Sequence, residues 1–212
     1  MNVEFQQNIA LIKSMSELDI ARKQEVTKKM FIGYPIIKNT DGYPYSLFPL
    51  TDFSRPVNPS EIGDLADLVV YQGNFINVNM IVSEADRGGG PLTQAVAERT
   101  GLPFVLANWY KQEMPGYVTA TASVGFSGNG LICVGGLEPG KHVVLIDDLL
   151  STGGTIVALI KAIEKSGCFI DDIIVIGEKV NMKGREKIQA VGYDVKSLIR
   201  FQSVDNFTEE VL

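Results

Sequence analysis

Along the chain, short runs of consecutive apolar residues alternate with longer segments whose apolar positions recur every three or four residues. The runs fall at Met80-Ile81-Val82, Phe104-Val105-Leu106-Ala107, Val143-Val144-Leu145-Ile146 and Ile173-Ile174-Val175-Ile176. They lack a polar alternate, so they predict strands buried on both faces, as in a parallel sheet. Between them the spacing predicts helices over 62–71, over 91–100 and from Ile156 onward, where Val157, Leu159, Ile160 and Ile163 complete one face. Two further helices are predicted before residue 31, the first with Ile9, Ile12 and Met15 on one side and the second capped by Ser16. Val118 to Val124 and Leu131 to Val134 predict a hairpin carrying a flap. Phe31 to Pro59 is broken by prolines and turn dipeptides and predicts short or irregular structure. Strands alternating with helices give an α/β class: a mostly parallel sheet flanked by helices, with a small N-terminal hood. The expected divisions are 1–58 for the N-terminal helices and hood, 59–204 for the α/β core, and 205–212 for a C-terminal tail.

The richest stretch is Val143 to Thr155, which reads as strand, acidic tip, glycine-rich turn and helix. At the carboxyl edge of an open α/β sheet, that is where ligands bind. The small residues Ser151, Thr152, Gly153, Gly154 and Thr155 allow several backbone N–H groups to share one concavity at a helix start, an anion site. Charge-assisted hydrogen bonds are worth roughly 1.5–3 kcal/mol each, so three or four hold a phosphate monoester. A carboxylate about 4 Å from that phosphate would be repelled by ~4 kcal/mol at a surface-like dielectric. Asp147 and Asp148 are therefore expected to face sugar hydroxyls, a metal ion or a developing cation. A ribose 5-phosphate unit satisfies both halves. A P-loop is excluded because Thr155 stands where its lysine is required, and no G-x-G-x-x-G follows the strand.

A second strand–turn–helix follows Met80-Ile81-Val82-Ser83-Glu84, with Arg87 and Gly88 in the turn and Arg87 able to fork onto a diphosphate. Tyr43, Tyr45, Phe48 and Phe53 are concentrated in the hood, where an aromatic face would suit a planar heterocycle or simply bury the hood against the sheet. Lys179 stands at the end of a core strand, where a solvated lysine is the plain reading.

Composition narrows the partners. The 212 residues carry a net charge of −6, which argues against a nucleic-acid face. An acidic chain that binds a polyanion also points to an accompanying divalent cation. Cys133 and Cys168 lie among apolar neighbours and are expected as reduced core thiols, and His142 as an ordinary loop residue. With neither a leader-like start nor an apolar run of ~18 residues, no membrane association is expected and a cytoplasmic location is.

The run Asp147-Asp148-Leu149-Leu150-Ser151-Thr152-Gly153-Gly154-Thr155 resembles the phosphoribosyl-pyrophosphate (PRPP) motif of type I phosphoribosyltransferases, in the form closest to adenine phosphoribosyltransferases. Lys183-Gly184-Arg185-Glu186-Lys187-Ile188 is similar to the same enzymes, while Glu178-Lys179, Gly192-Tyr193 and Ser197-Leu198 resemble xanthine phosphoribosyltransferases. The likeness covers roughly residues 45 to 202. It implies transfer of ribose 5-phosphate from PRPP to a purine, foremost adenine to AMP with release of pyrophosphate, in purine salvage. A hypoxanthine, guanine or xanthine enzyme and a non-catalytic PRPP-sensing regulator are the alternatives. By resemblance, Asp147 and Asp148 are catalytic, and Leu149 with Ser151 to Thr155 holds the 5′-phosphate. Arg87, Gly88 and Lys111 would meet pyrophosphate, and Tyr45, Phe48 and Lys179 the base. Mg²⁺ would be held through PRPP near the two aspartates, and the enzyme would be a homodimer. The chain departs from adenine-type relatives in two places: Asn108-Trp109-Tyr110 replaces a basic run, and Gly125 stands where those enzymes place a flap glutamate.

Overall fold

A computed structural model describes residues 3–38, 42–124 and 128–211. In chain order the elements are α1 (Val3–Lys13), α2 (Glu17–Phe31), β1 (Ile37–Lys38), β2 (Pro44–Tyr45), α3 (Pro49–Asp52), α4 (Pro59–Gln72), β3 (Met80–Glu84), α5 (Gly89–Thr100), β4 (Phe104–Tyr110), β5 (Val118–Val124) and β6 (Gly128–Val134). They continue with β7 (His142–Leu150), α6 (Gly154–Lys165), β8 (Phe169–Lys179), α7 (Gly184–Gln189), β9 (Lys196–Val204) and β10 (Phe207–Glu210). Ser16 caps α2 by accepting the Asp19 N–H at 3.2 Å.

Eight strands form one sheet in the order β10-β9-β8-β7-β3-β4-β6-β5. From β9 through β8, β7 and β3 to β4 the pairing is parallel, while β10, β6 and β5 pair antiparallel at the two edges. This is the α/β class that the alternation predicts. The apolar runs are continuous because the sheet has a core on each face. Val144, Ile146, Ile174 and Ile176 pack on one side with α4 and α5, and Val143, Leu145, Ile173 and Val175 on the other with α6. β1 and β2 form a separate two-stranded hood with α3 beneath it.

Three expectations need correcting. First, β7 does not end at the aspartates: Leu149 and Leu150 still pair with Gly177 and Glu178, so only Ser151 to Gly153 remain for the turn. Second, the strand predicted at Phe104 to Ala107 does not stop there: β4 runs on through Asn108, Trp109 and Tyr110, which pair with Cys133, Ile132 and Leu131 of β6. Third, His142 opens β7 and faces Asp171 at 2.7 Å. The 205–212 segment contributes β10, which pairs with β9 and receives the Gly33 N–H on the Thr208 carbonyl at 2.9 Å. Among the described residues, no helix is long and apolar enough to cross a membrane.

Candidate active site

A cavity of about 490 Å³ opens at the carboxyl ends of β3, β4, β7 and β8, under the hood. It is lined by Asp147, Asp148, Leu149 and the whole turn from Ser151 to Thr155, with Arg87, Glu84 and Asp86 from the β3 turn. Tyr43, Tyr45 and Phe48 line it from the hood side, Trp109 from β4, and Lys179 from β8. Of the residues expected from sequence, Lys111 is not brought in. β4 runs on to Tyr110, and Lys111 follows it into an exposed turn. Gly88 packs behind the cavity against Asp148. Gly125 lies outside the described residues.

Local chemistry explains the phosphate turn. Gly153 adopts φ 74°, a left-handed conformation, as the residue preceding α6. A Cβ there would also lie 2.8 Å from the Gly184 carbonyl oxygen. The turn thus sits backbone to backbone on the start of α7. The hood closes over it through a hydrogen bond between the Tyr43 hydroxyl and Ser151 Oγ.

The aspartates are almost fully buried, at 4 and 2% exposure. Burial, then the neighbouring Asp148, pushes Asp147 well above the ordinary carboxylate range. Burial and then Asp86 push Asp148 up to about 7. Glu84 is likewise raised by burial to about 7, although the Trp109 indole N–H donates to its Oε1 and opposes the shift. Asp86 is raised for the same first reason. Asp148 Oδ2 is buried with no hydrogen-bond partner. The resemblance implies Mg²⁺, and the carboxylate oxygens of Glu84, Asp86, Asp147 and Asp148 lining one cavity suit such a hard cation. Among the described residues no three His, Cys, Asp or Glu side chains converge as a ligand set, so ligand oxygens would have to complete the shell.

Lys179 is 3% exposed and its Nζ donates to the Pro44 carbonyl oxygen, 5.6 Å from the centre of the Tyr43 ring. Burial lowers it to about 8. Phe48 lines the cavity from a buried aromatic cluster with Phe31 and Phe201, at ring separations of 5.1 and 5.4 Å. Arg87 lies 3.1 Å from Asp52 Oδ1.

Sequence reading missed Glu84, Asp52 and Trp109 as site residues. Trp109 was legible only as a departure from a basic run, Glu84 only as the end of the strand before the Arg87 turn, and Asp52 had no motif around it.

The small-residue turn from Ser151 to Thr155, the buried acids and the Arg87 guanidinium thus line one cavity. Comparison with known proteins gives the family. The phosphoribosyl transferase domain pattern matches residues 76–211. Hypoxanthine/guanine phosphoribosyltransferase of Methanocaldococcus vulcanius is 35% identical over 172 residues, 81% of this chain and 91% of that one. Among solved structures, the adenine phosphoribosyltransferase of Thermoanaerobacter pseudethanolicus superposes with TM-score 0.69 at 23% identity, covering 84% of this chain and 99% of that one. The APRTase of Giardia lamblia, complexed with 9-deazaadenine, gives 0.68 at 25%, covering 88 and 98%. The chain belongs to the type I phosphoribosyltransferase family.

Proposed function

We propose that this protein transfers ribose 5-phosphate from PRPP to a 6-oxopurine, hypoxanthine or guanine, releasing pyrophosphate. The observation that carries the choice of base is Lys179, a buried ammonium in the cavity wall with a carbonyl oxygen already on it. A donor without acceptor capacity suits the purine 6-oxygen and opposes an amino group in the same place. The hypoxanthine/guanine relatives, alignable over most of the chain, support the same reading. Adenine is the second reading, supported by the form of the PRPP motif and by the Giardia lamblia neighbour.

In this reading the turn from Ser151 to Thr155 anchors the 5′-phosphate and so converts remote binding energy into alignment at the anomeric carbon. Asp147 and Asp148 hold the ribose hydroxyls, and their charge stabilises the cation that develops on the ring as pyrophosphate leaves. Their raised pKa values are what a site for positive charge shows when that charge is absent. Arg87 meets the leaving diphosphate. Mg²⁺, when bound, neutralises diphosphate oxygens.

Mixing PRPP and Mg²⁺ with hypoxanthine, guanine, xanthine and adenine in competition, and following pyrophosphate, tests the assignment. The expected result is preference for a 6-oxopurine that disappears in Lys179→Ala. Preference for adenine that survives the substitution would establish the second reading. No pyrophosphate with any base would leave a PRPP-sensing role.

A further inference from the structure

Asp52, the last residue of the four-residue helix α3, joins the hood to the diphosphate end of the cavity. Its side chain is 2% exposed, whereas that of Arg87, its ion-pair partner at 3.1 Å, is 55% exposed. Asp52 Oδ2 accepts the Phe48 N–H at 2.9 Å, and Oδ1 accepts the Tyr45 hydroxyl. Arg87 also interacts with that hydroxyl. A buried carboxylate held from three directions thus presents one face to a half-exposed cation.

We propose that Asp52 is a positioning residue for the diphosphate: it aims the Arg87 guanidinium along the cavity wall and ties that aim, through Tyr45, to the hood. This rests on the PRPP reading above.

Two effects oppose each other, and the geometry decides between them. Asp52 could compete with the ligand for Arg87. Yet its charge is already shared by a backbone N–H and a hydroxyl, and a guanidinium has five N–H donors, so the contact leaves others for a ligand. Against that stands the freedom of a long, half-exposed side chain that would keep only the Tyr45 hydroxyl to fix its rotamer. Without Asp52, the neighbouring Asp86 would be the remaining acid whose charge acts on Arg87. Loss of aim therefore outweighs loss of competition, and removing the Asp52 charge weakens the diphosphate contact.

Ribose 5-phosphate and PRPP separate this role from a structural one, since only PRPP carries the diphosphate. Calorimetric titration of both, with Mg²⁺, into wild type, Asp52→Asn, Arg87→Ala and the double variant is the test. Asp52→Asn is expected to weaken PRPP about tenfold while ribose 5-phosphate changes less than about twofold, and to add nothing once Arg87 is gone. Equal loss for both ligands, tighter PRPP, or an additive loss in the double variant would overturn the proposal. Should Asp52→Asn fail to fold, Tyr45→Phe removes one donor from Asp52. It is expected to cost about threefold in PRPP affinity alone, and an equal loss for both ligands again overturns the idea. Wild type that binds neither compound refutes the underlying PRPP reading instead, a separate outcome from failure of Asp52.

Discussion

Gly88 and Asp148 are packed so closely that neither position tolerates another atom between them. A Cβ on Gly88 would overlap Asp148 Oδ2, lie 2.6 Å from its Cγ and come within 2.9 Å of the Leu50 carbonyl oxygen. Gly88 has φ −87°, so its backbone conformation suits any residue and the constraint is purely steric. The turn after β3 and the acid on β7 therefore fit as one surface.

Gly88→Ala must push the Asp148 carboxylate toward the cavity. Misplacing a catalytic group by about 1 Å can cost on the order of 100-fold, and that loss is expected here in kcat/KM for the phosphoribosyl transfer. Far-ultraviolet circular dichroism should stay unchanged. An active Gly88→Ala enzyme would show that Asp148 has room the structure does not give it.

The carboxylates make an unusual pH dependence. Glu84 and Asp148 sit near 7 in the folded chain against ordinary values of 4.5 and 3.8. Between those limits the folded state binds more protons than the unfolded one, so stability is fullest at low pH and is lost as pH rises through about 7. Urea midpoints of the ligand-free protein should therefore fall from pH 6 to pH 8, and Glu84→Gln should flatten that slope. Trp109, the single tryptophan of the chain, donates to Glu84 and offers a local reading of the same event. Its emission should titrate with a midpoint near 7, and a transition that persists in Glu84→Gln would assign it to another group.

Lys179 runs the opposite way. Burial lowers it from 10.5 to about 8, so the unfolded state binds the extra proton between those values and wild-type stability gains as pH rises through that window. Lys179→Met has no such group. The difference in melting temperature, variant minus wild type, is expected to decrease between pH 8 and pH 10.5. A difference that stays flat across that window would mean that Lys179 is not held in an unfavourable charged state.

Much of this was readable in the chain because each core strand reports its own burial. Val143 to Ile146 and Ile173 to Ile176 face two cores at once, and nothing but an unbroken apolar run satisfies that. The phosphate turn was readable because its residues are contiguous. What escaped was everything made by meeting at a distance. Glu84 and Trp109 are brought together by the pairing of β3 with β4. Asp52 and Arg87 meet only because the hood folds back over the sheet edge. Lys111 lies outside the cavity for a related reason: β4 continues past Ala107 only because the partner strand β6 pairs with Asn108, Trp109 and Tyr110.

Gly184 supplies the last prediction. Its Lys183-Gly184-Arg185 context marks a helix start, yet its packing lies with the phosphate turn: a Cβ on Gly184 would overlap the Ser151 carbonyl oxygen and lie 2.6 Å from Leu150 Cδ1. Gly153 makes the reciprocal approach: a Cβ on it would lie 2.8 Å from the Gly184 carbonyl oxygen. Arg185 pins the start of α7 from the other side, through Glu178 at 2.9 Å and the Val195 carbonyl. With α7 fixed, Gly184→Ala can relieve its overlap only by displacing the turn, whose N–H groups must converge to hold an anion. Ribose 5-phosphate affinity is expected to fall at least about tenfold, the equivalent of one charge-assisted hydrogen bond lost from the cradle. The thermal midpoint should move by only a few degrees, because the strain is confined to one turn. Unchanged affinity would mean that the turn does not rely on α7 for its shape.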